Sequence, residues 1–111
     1  MTKKLSATVR LCLSASEDFS AAFGPGTAQL LRGIEKNHSL NQASKEMGMA
    51  YSKAWKALKK TEQQLGFELI VRCGAKGSML TEKGKAMLAL YDTTLKAVQE
   101  AAKDVLEKEN I

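Results

Sequence analysis

The chain has 111 residues, 44% of them hydrophobic, which suits a single domain with a core of its own. Its net charge of +5 and isoelectric point near 9.3 permit a polyanionic partner. No stretch reaches the roughly 20 apolar residues of a membrane span, and Arg10 interrupts the apolar run that a signal peptide would need, so we expect a cytoplasmic protein.

The N-terminal part of the chain predicts a strand, a loop and a helix. From Leu5 to Leu13 apolar residues alternate with polar ones, a two-residue period typical of a half-buried strand, which we place over 4–14. Small and polar residues then predict a loop up to about position 22. Pro25 suits the first turn of a helix, where its missing N–H is not needed. Apolar residues at helical spacing extend this helix over 25–37.

Residues 39–65 predict two helices joined by a tight turn. Ser39 opens the first helix through the capping-box pattern SLNQ. Gly48 would cost about 1 kcal/mol relative to alanine inside a helix, but almost nothing as a left-handed residue just past a helix end. We therefore end the first helix at Gly48 and begin the second near Ala50 or Tyr51. This pair is the helix-turn-helix pattern.

The rest of the chain predicts a hairpin and a long helix. FELIVR, CGAKGS and the following apolar pair indicate a wing over 67–80 with Lys76 at its tip. Thr81 is a good N-cap for a helix over 81–109. Its heptad-like seam predicts a dimer interface formed by Leu88, Tyr91, Leu95, Val98, Ala102 and Val105. The expected fold class is mainly α with a small β component, a winged helix-turn-helix with a long C-terminal dimerisation helix.

The net charge is concentrated in one third of the chain. Residues 51–85 hold eight Lys or Arg and three Glu, whereas the remaining residues are neutral in sum. Such lysines could form a solvated helix face, but on the second helix of this motif phosphate contacts are favoured. Base-edge contacts usually come from the N-terminus of that helix. The predicted DNA-contacting residues are Tyr51, Ser52, Lys53, Lys56, Lys59, Lys60, Arg72, Lys76 and Ser78.

Several residues near this surface have competing interpretations. Gln42 can cap its helix or contact a phosphate, and the cap is favoured. Trp55 is expected between the protein core and the DNA groove. Packing in the protein is favoured over contact with DNA, but both interpretations stay open. His38 is expected in a loop rather than as a proton switch. Cys73 has only weak support as a redox sensor, and Cys12 is expected to be inert.

Other kinds of site are not expected from this sequence. Its two cysteines and one histidine stand at no metal-ligand spacing, so we expect free thiols and no metal or other cofactor. There is no His–carboxylate cluster, no Walker-type phosphate loop and no nucleophile elbow in the sequence. We therefore do not expect an enzyme.

The motifs resemble the winged helix-turn-helix of LysR-type and ModE-type bacterial regulators. SLNQASKEMGMAYSKAWKAL matches their helix-turn-helix, and TEQQLGFELIVR followed by LTEKG resembles its continuation. AYSKAW and LTEKGKAMLALY resemble the ModE N-terminal domain in particular. Ala50 stands where ModE-type recognition helices usually begin with serine, and the glycine-rich run of the wing is shorter. The resemblance covers Phe23 to about Val105.

The resemblance implies a homodimer that binds double-stranded DNA and regulates transcription. Full-length ModE regulators carry C-terminal molybdate-binding domains and this chain stops before them, so we do not expect it to bind molybdate. An alternative function is that of a protein–protein adaptor using the basic face or the long helix. Direct binding of a small oxyanion is a third possibility, for which the sequence encodes no site.

Overall fold

The computed structural model describes residues 3–17 and 22–109. Within them the chain forms four α-helices and one antiparallel pair of strands: α1 (Pro25–Asn37), α2 (Leu40–Glu46), α3 (Tyr51–Leu65), β1 (Ile70–Arg72), β2 (Ser78–Leu80) and α4 (Glu82–Glu109). A short 3-10 turn, Gly74–Lys76, joins the strands. The expected fold class, a mainly α winged helix-turn-helix with a long C-terminal helix, is confirmed.

Local sequence signals set the limits of the helices. The Ser39 hydroxyl accepts the Gln42 backbone N–H at 3.0 Å and thereby caps α2. Gly48 has φ +69° in the turn between α2 and α3, a left-handed conformation that costs glycine little. Thr81 precedes α4, and its hydroxyl accepts the Gly84 N–H at 2.8 Å. The chain therefore turns where short polar residues and glycine stand.

A close helix contact holds the helix-turn-helix together. A Cβ added at Gly33 in α1 would lie 2.7 Å from the Cβ of Ala43 in α2. Because that distance is shorter than side-chain atoms tolerate, the two helices can approach this closely only with glycine at this position. The small Ala43 contributes to the same approach, and it is buried at the contact.

The hydrophobic core lies where α1, α2, α3 and the first half of α4 meet. The Phe23 and Tyr91 rings pack together in it with centroids 5.3 Å apart. The Tyr91 hydroxyl donates to the Leu11 carbonyl at 3.0 Å, so its polar end has a partner. The buried apolar residues are Phe23, Ala28, Leu30, Leu31, Ile34, Leu40, Ala43, Ala54, Leu58, Leu69, Ile70, Leu80, Met87, Leu88 and Tyr91.

The predicted strand over 4–14 is wrong for most of its length. Among the described residues before position 13 there is no strand pairing, and Leu13 alone bridges to Phe23 through hydrogen bonds of 2.8 and 2.7 Å. A strand needs a neighbouring backbone edge, but residues 4–7 instead line a groove with four side chains of α4, those of Gln99, Lys103, Leu106 and Glu107. Part of the predicted loop, residues 18–21, lies outside the described residues.

The predicted seam of α4 divides into a buried and an exposed part. Leu88 and Tyr91 are only 6% and 2% exposed, so they belong to the core of the protomer and not to a dimer surface. Farther along, Val98 and Val105 are 39% and 53% exposed. The sequence pattern did not distinguish the two parts, because apolar residues have the same spacing whether a helix packs on its own domain or on a partner. No helix in the described part of the chain is long and apolar enough to cross a bilayer.

Candidate nucleic-acid interface

Helix α3 has a buried side and a basic side. Ala54, Leu58, Thr61 and Glu62 are its buried positions: Leu58 follows Ala54 by four residues, and Thr61 and Glu62 follow Leu58 by three and four. This spacing directs them to one side, against the core. The exposed residues on the remaining surface are Tyr51, Ser52, Lys53, Lys56, Ala57, Lys60 and Gln63. The residues predicted to contact DNA from α3 therefore share a solvent-facing surface, with Lys59 half-buried at its margin.

The N-terminus of α3 is open to solvent. Its N-cap is Ala50, whose side chain makes no capping hydrogen bond. The positive end of the helix dipole and the N–H groups of the first turn favour an external anion at such a position. Tyr51 and Ser52, the first two residues of the helix, are both exposed there. An anionic group such as a DNA phosphate can approach this end without displacing a capping side chain.

The wing is fastened to the helical part of the domain. Strands β1 and β2 pair in the register Ile70 with Leu80, Val71 with Met79 and Arg72 with Ser78. The Ser78 N–H donates to the His38 carbonyl at 2.9 Å, where α1 ends. Lys76 is exposed in the turn at the outer end of the hairpin. The wing is thus bound to α1 at the strand pair next to the turn that carries Lys76.

Ser78, which was predicted to contact DNA, is buried and does not lie on the exposed basic surface. It is only 9% exposed, because residues along a strand alternate between two faces and Ser78 shares the inward face with Leu80. Met79 between them is exposed. The sequence predicted that Ser78 lies in the hairpin, but it did not predict on which face of the hairpin the side chain lies.

Arg72 contacts two aromatic residues of α3. Its guanidinium carbon lies 4.1 Å from the centroid of the Trp55 ring and 5.8 Å from that of the Tyr51 ring. Its Nη2 also donates a hydrogen bond to the Tyr51 hydroxyl. We call Tyr51, Trp55 and Arg72 the Arg72 cluster. Trp55, left open by the sequence, is half-buried and packs against the wing through this cluster.

A second set of contacts joins the end of α3 to β1. The Glu62 carboxylate is buried, and its Oε2 accepts the backbone N–H groups of Leu69 at 2.7 Å and Ile70 at 3.3 Å. Its Oε1 lies 2.8 Å from the Lys59 ammonium, which also lies 4.3 Å from the centroid of the Trp55 ring. Lys59 therefore balances a buried negative charge inside the protein.

Sequence reasoning missed the role of Glu62. A weak signal was present, since Glu62 is the one acid in α3 and stands three residues after a lysine. Such a pair is usually an exposed contact of small energy. The backbone N–H groups that make Glu62 important belong to Leu69 and Ile70, where β1 begins, and no helical spacing rule connects these residues to Glu62.

The remaining lysines of this surface have no acidic partner in the described part of the chain. Lys53, Lys56, Lys60 and Lys76 take part in none of the ion pairs formed within residues 3–17 and 22–109. Lys56 and Lys60 line an open groove together with Phe67 and Glu68. These four ammonium groups are available to an external polyanion.

The cysteines and the histidine occupy unrelated positions in the fold. Cys12 is exposed and Cys73 is half-buried, and both are free thiols. His38 closes α1 with φ +54°. Among the residues that the structure describes, no three His, Cys, Asp or Glu side chains are grouped as metal ligands.

Comparison with known proteins agrees with this architecture. The family described as "Bacterial regulatory helix-turn-helix protein, lysR family" matches residues 27–85, from α1 to the beginning of α4. The "DNA-binding transcriptional dual regulator ModE" of Escherichia coli (strain K12) is 32% identical over 90 residues, 78% of this chain and 34% of that protein. The "Molybdenum transport protein ModE" of Azotobacter vinelandii is 30% identical over 83 residues, 71% of this chain and 31% of that protein.

Two conclusions follow from these matches. The chain spans about a third of the length of the curated relatives, and the resemblance to LysR-type and ModE-type regulators is confirmed. The family match extends over more than half of the residues and includes both helices of the motif and the wing. The chain therefore belongs to the lysR family of bacterial regulatory helix-turn-helix proteins.

Proposed function

We propose that this protein binds double-stranded DNA sequence-specifically as a homodimer and regulates transcription. The observation that carries the proposal is the set of four lysines on α3 and the wing that form no ion pair within the described residues, in a helix-turn-helix of a regulatory family. That family is a class of regulators and not of enzymes. The net charge of +5 and its concentration between residues 51 and 85 favour the same partner.

Helix α3 is suited to be the recognition helix. A helix with its side chains is about 10–12 Å across, and the major groove of B-DNA is about 12 Å wide. When the N-terminus of α3 is directed into the major groove, its first three residues reach base edges or the nearest phosphates; they are Tyr51, Ser52 and Lys53. Lys56 and Lys60 then face the phosphates beside the groove, and Lys76 extends from the wing to a neighbouring backbone.

The exposed half of α4 is suited to join two copies. Leu95 is half-buried against the edge of the core, and Val98, Ala102 and Val105 continue the heptad-like spacing beyond it. At 28 residues α4 is much longer than the part that the core buries, which ends at Tyr91. Two copies related by a two-fold axis would place their recognition helices in successive major grooves, about 34 Å apart, on a pseudo-palindromic site.

The first test is a titration of duplex DNA at several salt concentrations. Selection from a random duplex library supplies the site, and fluorescence anisotropy gives the affinity. A dimer that neutralises about six to ten phosphates loses affinity steeply, because each neutralised phosphate adds about −0.9 to the slope of log K against log salt. Absence of binding to any duplex at low salt would refute the proposal.

A pair of charge reversals locates the surface. Lys56→Glu with Lys60→Glu should abolish DNA binding while the fold and the dimer persist, because both side chains are exposed and form no ion pair in the part of the chain that is described. Lys96→Glu with Lys108→Glu makes the same charge change on the exposed part of α4 and should retain most of the binding. If the first variant bound DNA as tightly as this control, a protein–protein adaptor function would become the better interpretation.

A further inference from the structure

Arg72 and Tyr51 are brought together from the wing and from the first turn of α3. They are 21 residues apart in the chain, and both are exposed on the surface proposed to face DNA. The sequence predicted two independent DNA contacts at these positions. In the structure the arginine is instead engaged by the protein, through its hydrogen bond to the Tyr51 hydroxyl and its position over the Trp55 ring.

The direction of this hydrogen bond decides what Tyr51 can offer. A phenolic hydroxyl has one hydrogen to donate, whereas a guanidinium can only donate. Arg72 therefore supplies the hydrogen, and the hydroxyl of Tyr51 keeps its own hydrogen for an external acceptor. A neighbouring positive charge also strengthens the hydroxyl as a donor. On DNA the available acceptors are phosphate oxygens, guanine O6 and N7, adenine N7 and thymine O4.

Trp55 fixes the arginine in this arrangement. A guanidinium within about 6 Å of an indole ring is held by a cation–π interaction, and its planar form stacks on the ring. The Trp55 ring is half-buried between α3 and the wing and has the Lys59 ammonium 4.3 Å from its centroid. A lysine at position 72 would keep the charge but could not stack in the same way.

We propose that Arg72 is a positioning residue that holds Tyr51 as a hydrogen-bond donor to DNA and does not itself neutralise a phosphate. This inference rests on the proposed function, since it names the role of one residue in the same surface. It makes Tyr51 and Arg72 a single unit, supported by Trp55, and it couples the orientation of the wing to the first turn of the recognition helix.

A double-mutant cycle tests whether the two residues act as a unit. Duplex affinity is measured for the wild type, Tyr51→Phe, Arg72→Gln and the double variant. Each single change should lower affinity about tenfold, as expected for one hydrogen bond, and the double variant should bind little more weakly than the weaker single one. Lys53→Gln combined with Arg72→Gln is the control, and there the two reductions in affinity should multiply. Multiplied reductions for the Tyr51 pair would overturn the proposal.

The salt dependence and the conservative variant distinguish positioning from phosphate binding. Arg72→Gln should leave the slope of log K against log salt unchanged, whereas Lys76→Gln should make it shallower by about 0.9 for each phosphate that is no longer neutralised. Arg72→Lys should bind as weakly as Arg72→Gln, because the charge returns without the stacking. Recovery of affinity in Arg72→Lys, or a shallower slope in Arg72→Gln, would identify Arg72 as a phosphate contact.

Tryptophan fluorescence follows the cluster without DNA. Trp55 is the single tryptophan of the chain, so Arg72→Gln should change its emission and increase its quenching by iodide in the free protein. Unchanged emission and quenching would overturn the cluster itself. A wild type that binds no duplex would refute the proposed function, whereas DNA binding with multiplied reductions or rescue by lysine would refute only the role of Arg72.

Discussion

Lys59 and Glu62 form an ion pair one turn apart on α3, and the same carboxylate holds the chain that leads into the wing. Glu62→Ala removes the acceptor of two backbone N–H groups and leaves Lys59 without its partner. Unsatisfied buried donors cost about 1–3 kcal/mol each, so we expect a loss of about 2–4 kcal/mol in the free energy of unfolding. Urea unfolding followed by circular dichroism measures it.

Two further variants are controls for the effect of Glu62→Ala on stability. Glu68→Ala removes an exposed carboxylate nearby and should change stability by less than about 0.5 kcal/mol. Glu62→Gln keeps an oxygen acceptor, so its free energy of unfolding should lie between that of the wild type and that of Glu62→Ala. Equal stability of Glu62→Ala and Glu68→Ala would show that the buried contacts contribute nothing.

Gly48 and Gly26 make a matched pair for testing the turn. A Cβ at either position meets no atom within 4 Å, but Gly48 has φ +69° whereas Gly26 lies inside α1. Gly48→Ala should therefore destabilise by about 1–2 kcal/mol through backbone strain alone. Gly26→Ala should be neutral or stabilise by up to about 1 kcal/mol. Thermal melts of the two variants compare them, and equal melting temperatures would contradict the assigned turn.

Tyr91 predicts how stability changes at high pH. Burial, followed by the influence of Cys12, raises the pKa of this hydroxyl above its ordinary value of 10.0. Above about pH 10 the folded protein therefore keeps a proton that the unfolded chain has lost. The part of the free energy of unfolding that depends on this proton is fully present below about pH 10, and it is lost as the pH rises through the pKa of Tyr91 in the folded protein. Urea unfolding between about pH 9 and about pH 11 measures the decline.

The two tyrosines provide the control for this pH effect. Tyr91→Phe should remove its part of the decline, at the cost of the hydrogen bond to Leu11. Tyr51→Phe alters the only other tyrosine, which is exposed, and should leave the alkaline decline as it is in the wild type. The same pH profile in all three proteins would show that Tyr91 does not control it.

Val98 tests the proposed dimer. Val98→Asp places a charge in the exposed seam of α4, and burying an unpaired carboxylate in an interface is costly. We expect the variant to sediment as a monomer at concentrations where the wild type is a dimer. Leu90→Asp makes an equivalent change at a 57% exposed position outside the seam and should leave the dimer intact. A dimeric Val98→Asp protein would place the interface elsewhere.

Molybdate should have no effect on this chain. A ligand that binds the folded state raises the melting temperature by mass action, so an unchanged melting temperature across a molybdate series is the expected result. Sulfate at the same ionic strength is the control for general anion effects. A rise specific to molybdate or tungstate would reveal an oxyanion site and contradict the expectation drawn from the sequence.

The helices were predictable because their signals are local. Ser39, Gly48 and Thr81 each fix a helix end through a cap or a left-handed backbone, and such chemistry involves only residues a few positions apart. The lysine face of α3 followed in the same way from helical spacing. Family resemblance added the arrangement of these elements as a winged helix-turn-helix.

The errors concern contacts between segments distant in sequence. Alternation from Leu5 to Leu13 fits any extended chain, and it does not say whether a strand edge or a helix lies beside it. Helical spacing in α4 likewise does not reveal that Leu88 and Tyr91 face the protein's own core. The engagement of Arg72 by Tyr51 and Trp55 depends on where the wing lies, and no local pattern contains that information.

The hydrogen bond from the Ser78 N–H to the His38 carbonyl couples the unfolding of the wing to that of α1. The outer end of β2, next to the turn, and the end of α1 share this bond, so the hairpin cannot detach without also loosening the junction between α1 and α2. The two should unfold as one cooperative unit. Amide hydrogen exchange at Ser78 should then be as slow as at the buried positions of α1, and slower than at Lys76, whose N–H donates only to the Cys73 carbonyl within the exposed turn.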